Sequence, residues 1–131
     1  HGGRNFIHAI LERAEAGQPL RVVINEVSSP TYNDDLAAAI MALIVTGQYG
    51  IYHLVNDGCA SRYAFARETL DRAGYTDTPV EPIALAEYPR ASRPPEYAVL
   101  RNLAAARLGI TLRPWQDALT AFLQREGLLK A

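Results

Sequence analysis

The chain has 131 residues, and 13 lysines and arginines against 14 acidic residues give a formal charge of −1. An apolar fraction of 49% with 21% charged residues is typical of a folded protein and argues against disorder. No apolar run approaches the ~18 residues that span a bilayer, and the positive charge is too dispersed for a nucleic-acid surface. The single cysteine, Cys59, excludes an internal disulfide framework and favours a reducing, cytoplasmic setting.

Helical and strand patterns alternate in the first part of the chain. Apolar residues recur at helical spacing from residue 6, and residues 20–24 form an apolar run typical of a short buried strand. A second helix, capped by Asn33 or Asp34, should bury a face containing Leu36, Ile40, Met41, Leu43 and Ile44. Residues 50–56 predict a second strand, and Ser61 is placed to cap a third helix.

The second part of the chain continues this alternation. Residues 80–85 predict an edge strand because Pro82 cannot donate to a ladder, and three prolines make residues 87–96 a loop. A short helix over 103–108 and a last helix opening at Pro114 follow. The fold class is therefore α/β, with few parallel strands and flanking helices. Three strands are fewer than such a sheet normally holds, so the sheet is expected to be incomplete.

The chain lacks the motifs of a self-sufficient dinucleotide enzyme. The sequence Gly47-x-x-Gly50 precedes a strand rather than opening a helix, so it is a helix stop and not a phosphate-binding turn. A Tyr-x-x-x-Lys pair is impossible because Lys130 is the only lysine and Glu126 stands four residues before it. We therefore expect no catalytic residue and no cofactor-binding residue in this chain.

Three ordered motifs indicate a family. They are GRNFI at 3–7, SPTYNDDLA at 29–37 and RPPEYAVL at 93–100, accompanied by GIYHL at 50–54 and the apolar spacing of the last helix from Trp115. In this order the chain resembles the C-terminal, substrate-binding part of dTDP-4-dehydrorhamnose reductases, which are extended short-chain dehydrogenases/reductases. The resemblance extends from about Gly3 to Gly127.

The resemblance implies that one part of the protein binds the substrate and another part binds the cofactor. Residues 1–131 would be a single C-terminal substrate-binding lobe, without the N-terminal Rossmann region that binds NADPH or NADH. Residues 50–56 would be the seventh strand of that region's sheet. The parent enzyme would reduce the 4-keto group of dTDP-4-dehydrorhamnose, whereas this chain alone should be inactive and bind no cofactor.

The resemblance also implies four substrate-binding residues. Arg93 matches the arginine that contacts the sugar-nucleotide diphosphate, and Asn5 opens a helix that would face the phosphate. Pro30 and Thr31 match a turn near the sugar pocket. Each residue also has a purely structural alternative: Arg93 would brace its loop, Asn5 would cap its helix, and Pro30 and Thr31 would form a rigid connection from strand to helix. No metal is expected, because the partner of Asp34 in the metal site of some members falls on Arg125, a cation.

Two alternatives to a reductase fragment stay open from the sequence. One is a non-catalytic regulatory or binding subunit similar to the methionine adenosyltransferase beta subunit, and the other is a different nucleotide-sugar reductase or epimerase. In each case the apolar strand over residues 51–55 would lack neighbours, so we expect this chain to self-associate through it.

Overall fold

The computed structural model describes residues 5–92 and 94–130 and has a mixed α/β fold, which confirms the expected class. Its helices are α1 (Phe6–Glu15), α2 (Asn33–Ile44), α3 (Arg62–Arg72), α4 (Leu103–Arg107) and α5 (Trp115–Arg125), with a short 3₁₀ helix over Leu85–Glu87. The strands are β1 (Leu20–Val23), β2 (Val27–Ser28), β3 (Ala60–Ser61), β4 (Val80–Ile83) and β5 (Tyr97–Ala98). No helix in these two ranges is long and apolar enough to cross a membrane.

The strands form two small sheets. Strands β1 and β4 pair in parallel, with Leu20 opposite Val80, as the alternation of strands and helices predicts. In the second sheet β2 lies between antiparallel β3 and parallel β5. The β2–β5 pairing places Val27 opposite Tyr97, so the chain that follows the Pro-rich loop lies beside β2.

The main core lies where α1, α3 and α5 pack together with β1. Leu70 of α3 and Leu123 of α5 are fully buried, and Leu11 of α1 is 7% exposed in the same cluster. Each fully buried leucine contributes about 1.5–3 kcal/mol of hydrophobic free energy. The three helices therefore form a stable base for the loops at their ends.

The amide of Asn56 connects three segments of the chain from a position with no solvent exposure. Its Oδ1 accepts the backbone N–H of Tyr32 at 2.8 Å, and its Nδ2 donates to Asp35 Oδ2 at 2.8 Å and to the Arg113 carbonyl at 3.1 Å. Both amide hydrogens and the amide oxygen are thus satisfied. Asn56 fixes the beginning of α2 against the segment that leads into α5.

The strand predicted over residues 50–56 is wrong for this structure. Residues 51–56 are in no ladder, and only Asp57 makes an isolated bridge, with Pro114. The side chain of Asn102 takes the place of a neighbouring strand, because it accepts from the Val55 N–H at 2.9 Å and donates to the Val55 carbonyl at 2.7 Å. Leu54 packs against the cluster of Ala39, Ala105 and Ile110, whereas Ile51 is 91% exposed.

Helix α2 also differs from the prediction, at its start and on its apolar face. Its N-cap is Tyr32, with no side-chain cap bond, rather than Asn33 or Asp34. Ile40, Met41 and Ile44 are 41%, 64% and 66% exposed instead of buried. The apolar pattern of the helix is real, but no described element covers this part of it.

Replacing Asn56 with alanine should lower the free energy of unfolding by about 3 kcal/mol, because three hydrogen bonds of about 1 kcal/mol each are lost. Urea unfolding followed by circular dichroism measures this change. The matched control is Asn33→Ala at an exposed position, which should change the free energy by less than about 0.5 kcal/mol. Equal losses in the two variants would contradict the role assigned to Asn56.

Candidate functional site

A cleft of about 550 Å³ lies between α1, α5 and the connection from β2 to α2. Such a volume is within the range of small-molecule sites. Three segments remote in sequence supply most of its lining: the beginning of α1 with Asn5, the connection with Pro30 and Thr31, and one face of α5. The cleft is further lined by aromatic residues, namely Phe6, Tyr32, Phe65, Trp115 and Phe122.

These aromatic side chains pack against one another as well as against the cleft. The rings of Phe6 and Phe65 are stacked with centroids 6.0 Å apart, and Phe65 meets Trp115 edge to face at 5.6 Å. On the α5 side, Tyr32 meets Phe122 edge to face at 5.9 Å. Walls of this kind present flat apolar surfaces to a ligand ring, with polar groups at the edges that orient it.

Three of the four predicted site residues lie on this cleft. Asn5 caps α1, since its Oδ1 accepts the His8 N–H at 3.0 Å, and this leaves its two amide hydrogens for a ligand. Thr31 donates its hydroxyl hydrogen to the Ser29 carbonyl at 3.1 Å and keeps its oxygen as an acceptor. Pro30 lies beside Thr31 in the lining. Arg93 lies outside the described residues.

An ion pair joins α2 and α5 at the edge of the cleft. Asp34 Oδ2 accepts from the Tyr32 hydroxyl at 2.8 Å and from Arg125 Nη1 at 2.5 Å. The Tyr32 hydrogen bond, followed by that of Arg125, lowers the pKa of the Asp34 carboxyl, and the same group of contacts raises the pKa of Arg125. Asp34 and Arg125, which match the two positions of the metal site in some family members, thus pair with each other. No group of three or more potential metal ligands occurs in residues 5–92 and 94–130.

A second ion pair, between Asp35 and Arg113, stabilises the connection to α2. Arg113 donates to Asp35 in a bidentate arrangement, from Nε to Oδ2 at 2.8 Å and from Nη2 to Oδ1 at 2.6 Å. The hydrogen bond from Arg113 lowers the pKa of Asp35, and Asn56 lowers it further. Because Asp35 also receives the Asn56 amide, this pair supports the segment that carries Thr31 to the cleft.

A buried acidic residue with two arginine partners was missed by the sequence analysis. Glu26 is 8% exposed, and its carboxylate contacts Arg62 Nε at 2.8 Å and Arg90 Nη1 at 3.3 Å. The guanidinium of Arg62 lies 5.6 Å from the centre of the Phe6 ring, so this cluster adjoins the cleft. An acid just after a buried strand was the only signal in the sequence, since its partners are remote from it.

The segment that leads into the Pro-rich loop and the last residue of the loop both bond to Asn25 or to the start of β2. Asn25 Oδ1 accepts the Leu85 N–H at 2.7 Å, and Asn25 Nδ2 donates to Glu96 Oε1 at 3.2 Å. The Val27 N–H donates to the Glu96 carbonyl at 2.8 Å. These bonds keep the described ends of the loop close to the strand that leads to Pro30.

Known proteins provide an independent comparison. The family model described as the RmlD substrate binding domain matches residues 1–127. The chain is 40% identical over 124 residues to the spore coat polysaccharide biosynthesis protein SpsK of Bacillus subtilis, covering 95% of this chain and 43% of that protein. It is 35% identical over 119 residues to the dTDP-4-dehydrorhamnose reductase of Mycolicibacterium smegmatis, covering 89% of this chain and 36% of that protein.

The fold is shared with solved structures of the same kind. The dTDP-4-dehydrorhamnose reductase of Bacillus anthracis, solved in complex with NADP, superposes with a TM-score of 0.89 at 28% identity, over 95% of this chain and 44% of that one. The fold is that of part of an extended short-chain dehydrogenase/reductase. The chain belongs to the RmlD substrate binding domain family. It spans less than half of the length of the relatives that it matches here.

Acid should weaken the pair between Asp35 and Arg113. A lowered pKa in the folded state means that the contribution of Asp35 to stability is present above its ordinary value of 3.8 and is lost as pH falls below it. Between pH ~5 and pH ~2, the loss of unfolding free energy should be smaller in Asp35→Asn than in the unmodified chain, by up to about 1 kcal/mol. Urea unfolding at several pH values measures it. Asp77→Asn, at an exposed position, should lose as much unfolding free energy in acid as the unmodified chain does. An equal loss in the unmodified chain and in both variants would contradict the stabilising role of the pair between Asp35 and Arg113.

Proposed function

We propose that the chain is the substrate-binding part of an NADPH- or NADH-dependent dTDP-4-dehydrorhamnose reductase, and that it holds the nucleotide sugar while the 4-keto group is reduced. Residues 1–131 would act as one substrate-binding lobe that works with a separate Rossmann region. The main support is that Asn5, Pro30 and Thr31, predicted from separate motifs, line one cleft. The exposed free thiol of Cys59 suits a cytoplasmic protein.

Each of these residues has a chemistry that suits a nucleotide sugar. The Asn5 amide lies at the N-terminus of α1, where the helix dipole favours phosphate. The Thr31 oxygen can accept from a sugar hydroxyl, and the fixed φ of Pro30 keeps that turn rigid. Arg93 would supply a forked, charge-assisted contact to the diphosphate.

The described residues do not fit a dinucleotide cofactor. Gly47 and Gly50 follow α2, whereas a phosphate-binding turn would connect a strand to the start of a helix. The ammonium of Lys130 lies 5.1 Å from the centre of the Tyr75 ring and does not line the cleft. The nicotinamide and the proton-donating pair would therefore come from the rest of the reductase.

Binding of dTDP tests this function directly. Trp115 is the only tryptophan and lines the cleft, so its fluorescence should respond saturably to dTDP and to dTDP-4-dehydrorhamnose. Arg93→Ala should raise the dissociation constant roughly 10- to 150-fold, which corresponds to ~1.5–3 kcal/mol for one charge-assisted contact. The melting temperature should be nearly unchanged.

The matched control for Arg93 is Arg107→Ala, at an exposed position on α4. It should bind dTDP like the unmodified chain. An Arg93→Ala variant that also binds dTDP normally would return Arg93 to a structural role. If neither dTDP nor the dTDP-sugar binds the unmodified chain, the proposed function itself is wrong.

The uncovered part of α2 and the turn after it form a second surface, which we call the α2 face. Its members are large hydrophobic side chains that are between 41% and 98% exposed: Ile40, Met41, Ile44, Val45, Tyr49 and Ile51. We propose that the α2 face packs against the Rossmann region in the whole reductase and against a second copy when this chain is alone. Since residues 51–55 form no strand, side-chain packing replaces the expected strand pairing as the mode of association.

Self-association should be visible by sedimentation at micromolar concentration. Ile51→Lys places a charge in the α2 face and should shift the chain toward monomer. Leu103→Lys is a matched control, because Leu103 is 66% exposed on α4 and is not a member of the α2 face, so the variant should leave the distribution unchanged. A monomeric unmodified chain, or an equal shift in the two variants, would contradict an interface at the α2 face.

A further inference from the structure

We propose that Arg62 and Arg90, held on either side of the Glu26 carboxylate, form a diphosphate-binding subsite beside the cleft. We call these two residues the arginine pair. The identification of the diphosphate as that of a dTDP-sugar rests on the proposed function. The capacity of the arginine pair to bind a diphosphate rests on its own geometry.

The contacts of Glu26 fix the two guanidinium groups and leave most of their donors free. Arg62 uses Nε on one carboxylate oxygen at 2.8 Å, and Arg90 uses Nη1 on the other at 3.3 Å. The Glu26 side chain is 11% exposed, whereas those of Arg62 and Arg90 are 42% and 33% exposed. Each guanidinium has five N–H donors, so the solvent-facing donors are available to an anion.

Charge and preorganisation both favour a phosphate ligand. Two guanidinium groups around one carboxylate leave a net positive charge, and a buried carboxylate without its partners would be strongly destabilising. The arginines are therefore kept in place before the ligand arrives, which reduces the side-chain entropy lost on binding. The planar fork of arginine matches the oxygens of a phosphate.

The position of the arginine pair agrees with the shape of a nucleotide sugar. Arg62 lies over the ring of Phe6, which lines the cleft, and Arg90 belongs to the same loop as Arg93. A ligand with one ring in the aromatic cleft would bring an attached diphosphate toward the arginine pair. A dTDP-sugar has this arrangement, with rings on both sides of its diphosphate.

Calorimetric titrations of this chain with inorganic pyrophosphate, dTDP and thymidine test the arginine pair. Arg62→Gln and Arg90→Gln should each weaken binding of pyrophosphate and dTDP by about 10-fold and leave thymidine binding unchanged. Arg21→Gln is the matched control, because Arg21 is an exposed arginine that pairs with Glu81 at 3.2 Å on the other sheet. It should bind all three ligands like the unmodified chain.

Glu26→Gln distinguishes positioning from simple attraction. The substitution removes a negative charge, so a site that depended on net charge alone would bind pyrophosphate more tightly. If Glu26 is a positioning residue, pyrophosphate binding should weaken several-fold although the site becomes more positive. Tighter binding by this variant would overturn the role of Glu26, and a melting curve verifies that the variant is folded.

The outcomes separate this inference from the proposed function. If both arginine variants bind dTDP like the unmodified chain, or if the unmodified chain binds no pyrophosphate, the inference is wrong even where dTDP-4-dehydrorhamnose still binds. If the arginine pair binds pyrophosphate but dTDP-4-dehydrorhamnose does not bind at all, the subsite stands and the proposed substrate is wrong.

Discussion

The geometry of the cleft depends on one buried amide, that of Asn56. Its oxygen holds the Tyr32 N–H, and its nitrogen holds Asp35 and the Arg113 carbonyl, so it ties together both sides of the connection into α2. The next residue continues this link, since the Asp57 carbonyl accepts the Trp115 N–H at 3.0 Å. Because Asn56 is away from solvent, leaving any of these polar groups unpaired would cost free energy. This set of hydrogen bonds is therefore strongly favoured over alternatives. Asn56 and the residue after it therefore fix two parts of the cleft lining, the connection into α2 and the start of α5.

Carboxylates repeat this anchoring role around the site. Asp35 fixes Arg113 behind the cleft, Asp34 fixes Arg125 at its edge, and Glu26 fixes Arg62 and Arg90 beside it. The consequences differ because the balance of charge differs. The first two pairs are neutral and position the backbone, whereas the third retains a positive charge and solvent-facing donors. Only the third therefore has the character of an anion site.

The sequence was informative where structure is local and silent where it depends on distant partners. Periodicity predicted α1, α3, α5, β1 and β4, and Ser61 caps α3 as expected by accepting the Ala64 N–H at 3.0 Å. The two-residue strands have too few residues for a periodic signal. The role of Asn102 as the partner of Val55 could not be seen either, since 47 residues separate them.

The candidate site shows the same limit. Separate motifs suggested Asn5, Pro30 and Thr31 as site residues; the structure brings them to one cleft, and their contacts with substrate remain predictions. The partners of Glu26 are 36 and 64 residues away along the chain by number, and no local pattern relates them. Pairings of this kind are set by the fold, so they become visible only once the elements are packed.

The cleft and the α2 face depend on different clusters of the hydrophobic core. The helices at the cleft, α1 and α5 with Phe65 of α3, meet in the main cluster around Leu70 and Leu123, and the connection from β2 to α2 completes the lining. Helix α2 buries only Ala39, and it packs through a separate small cluster with Ala105 and Ile110. Because most helical stability in proteins comes from tertiary packing, α2 is held mainly at its beginning, through Asn56 and Arg113. Covering the α2 face with another surface would add stability there without rebuilding the main cluster. Ligand binding and association at the α2 face would then be coupled only through the start of α2, where Tyr32 and Asp34 border the cleft.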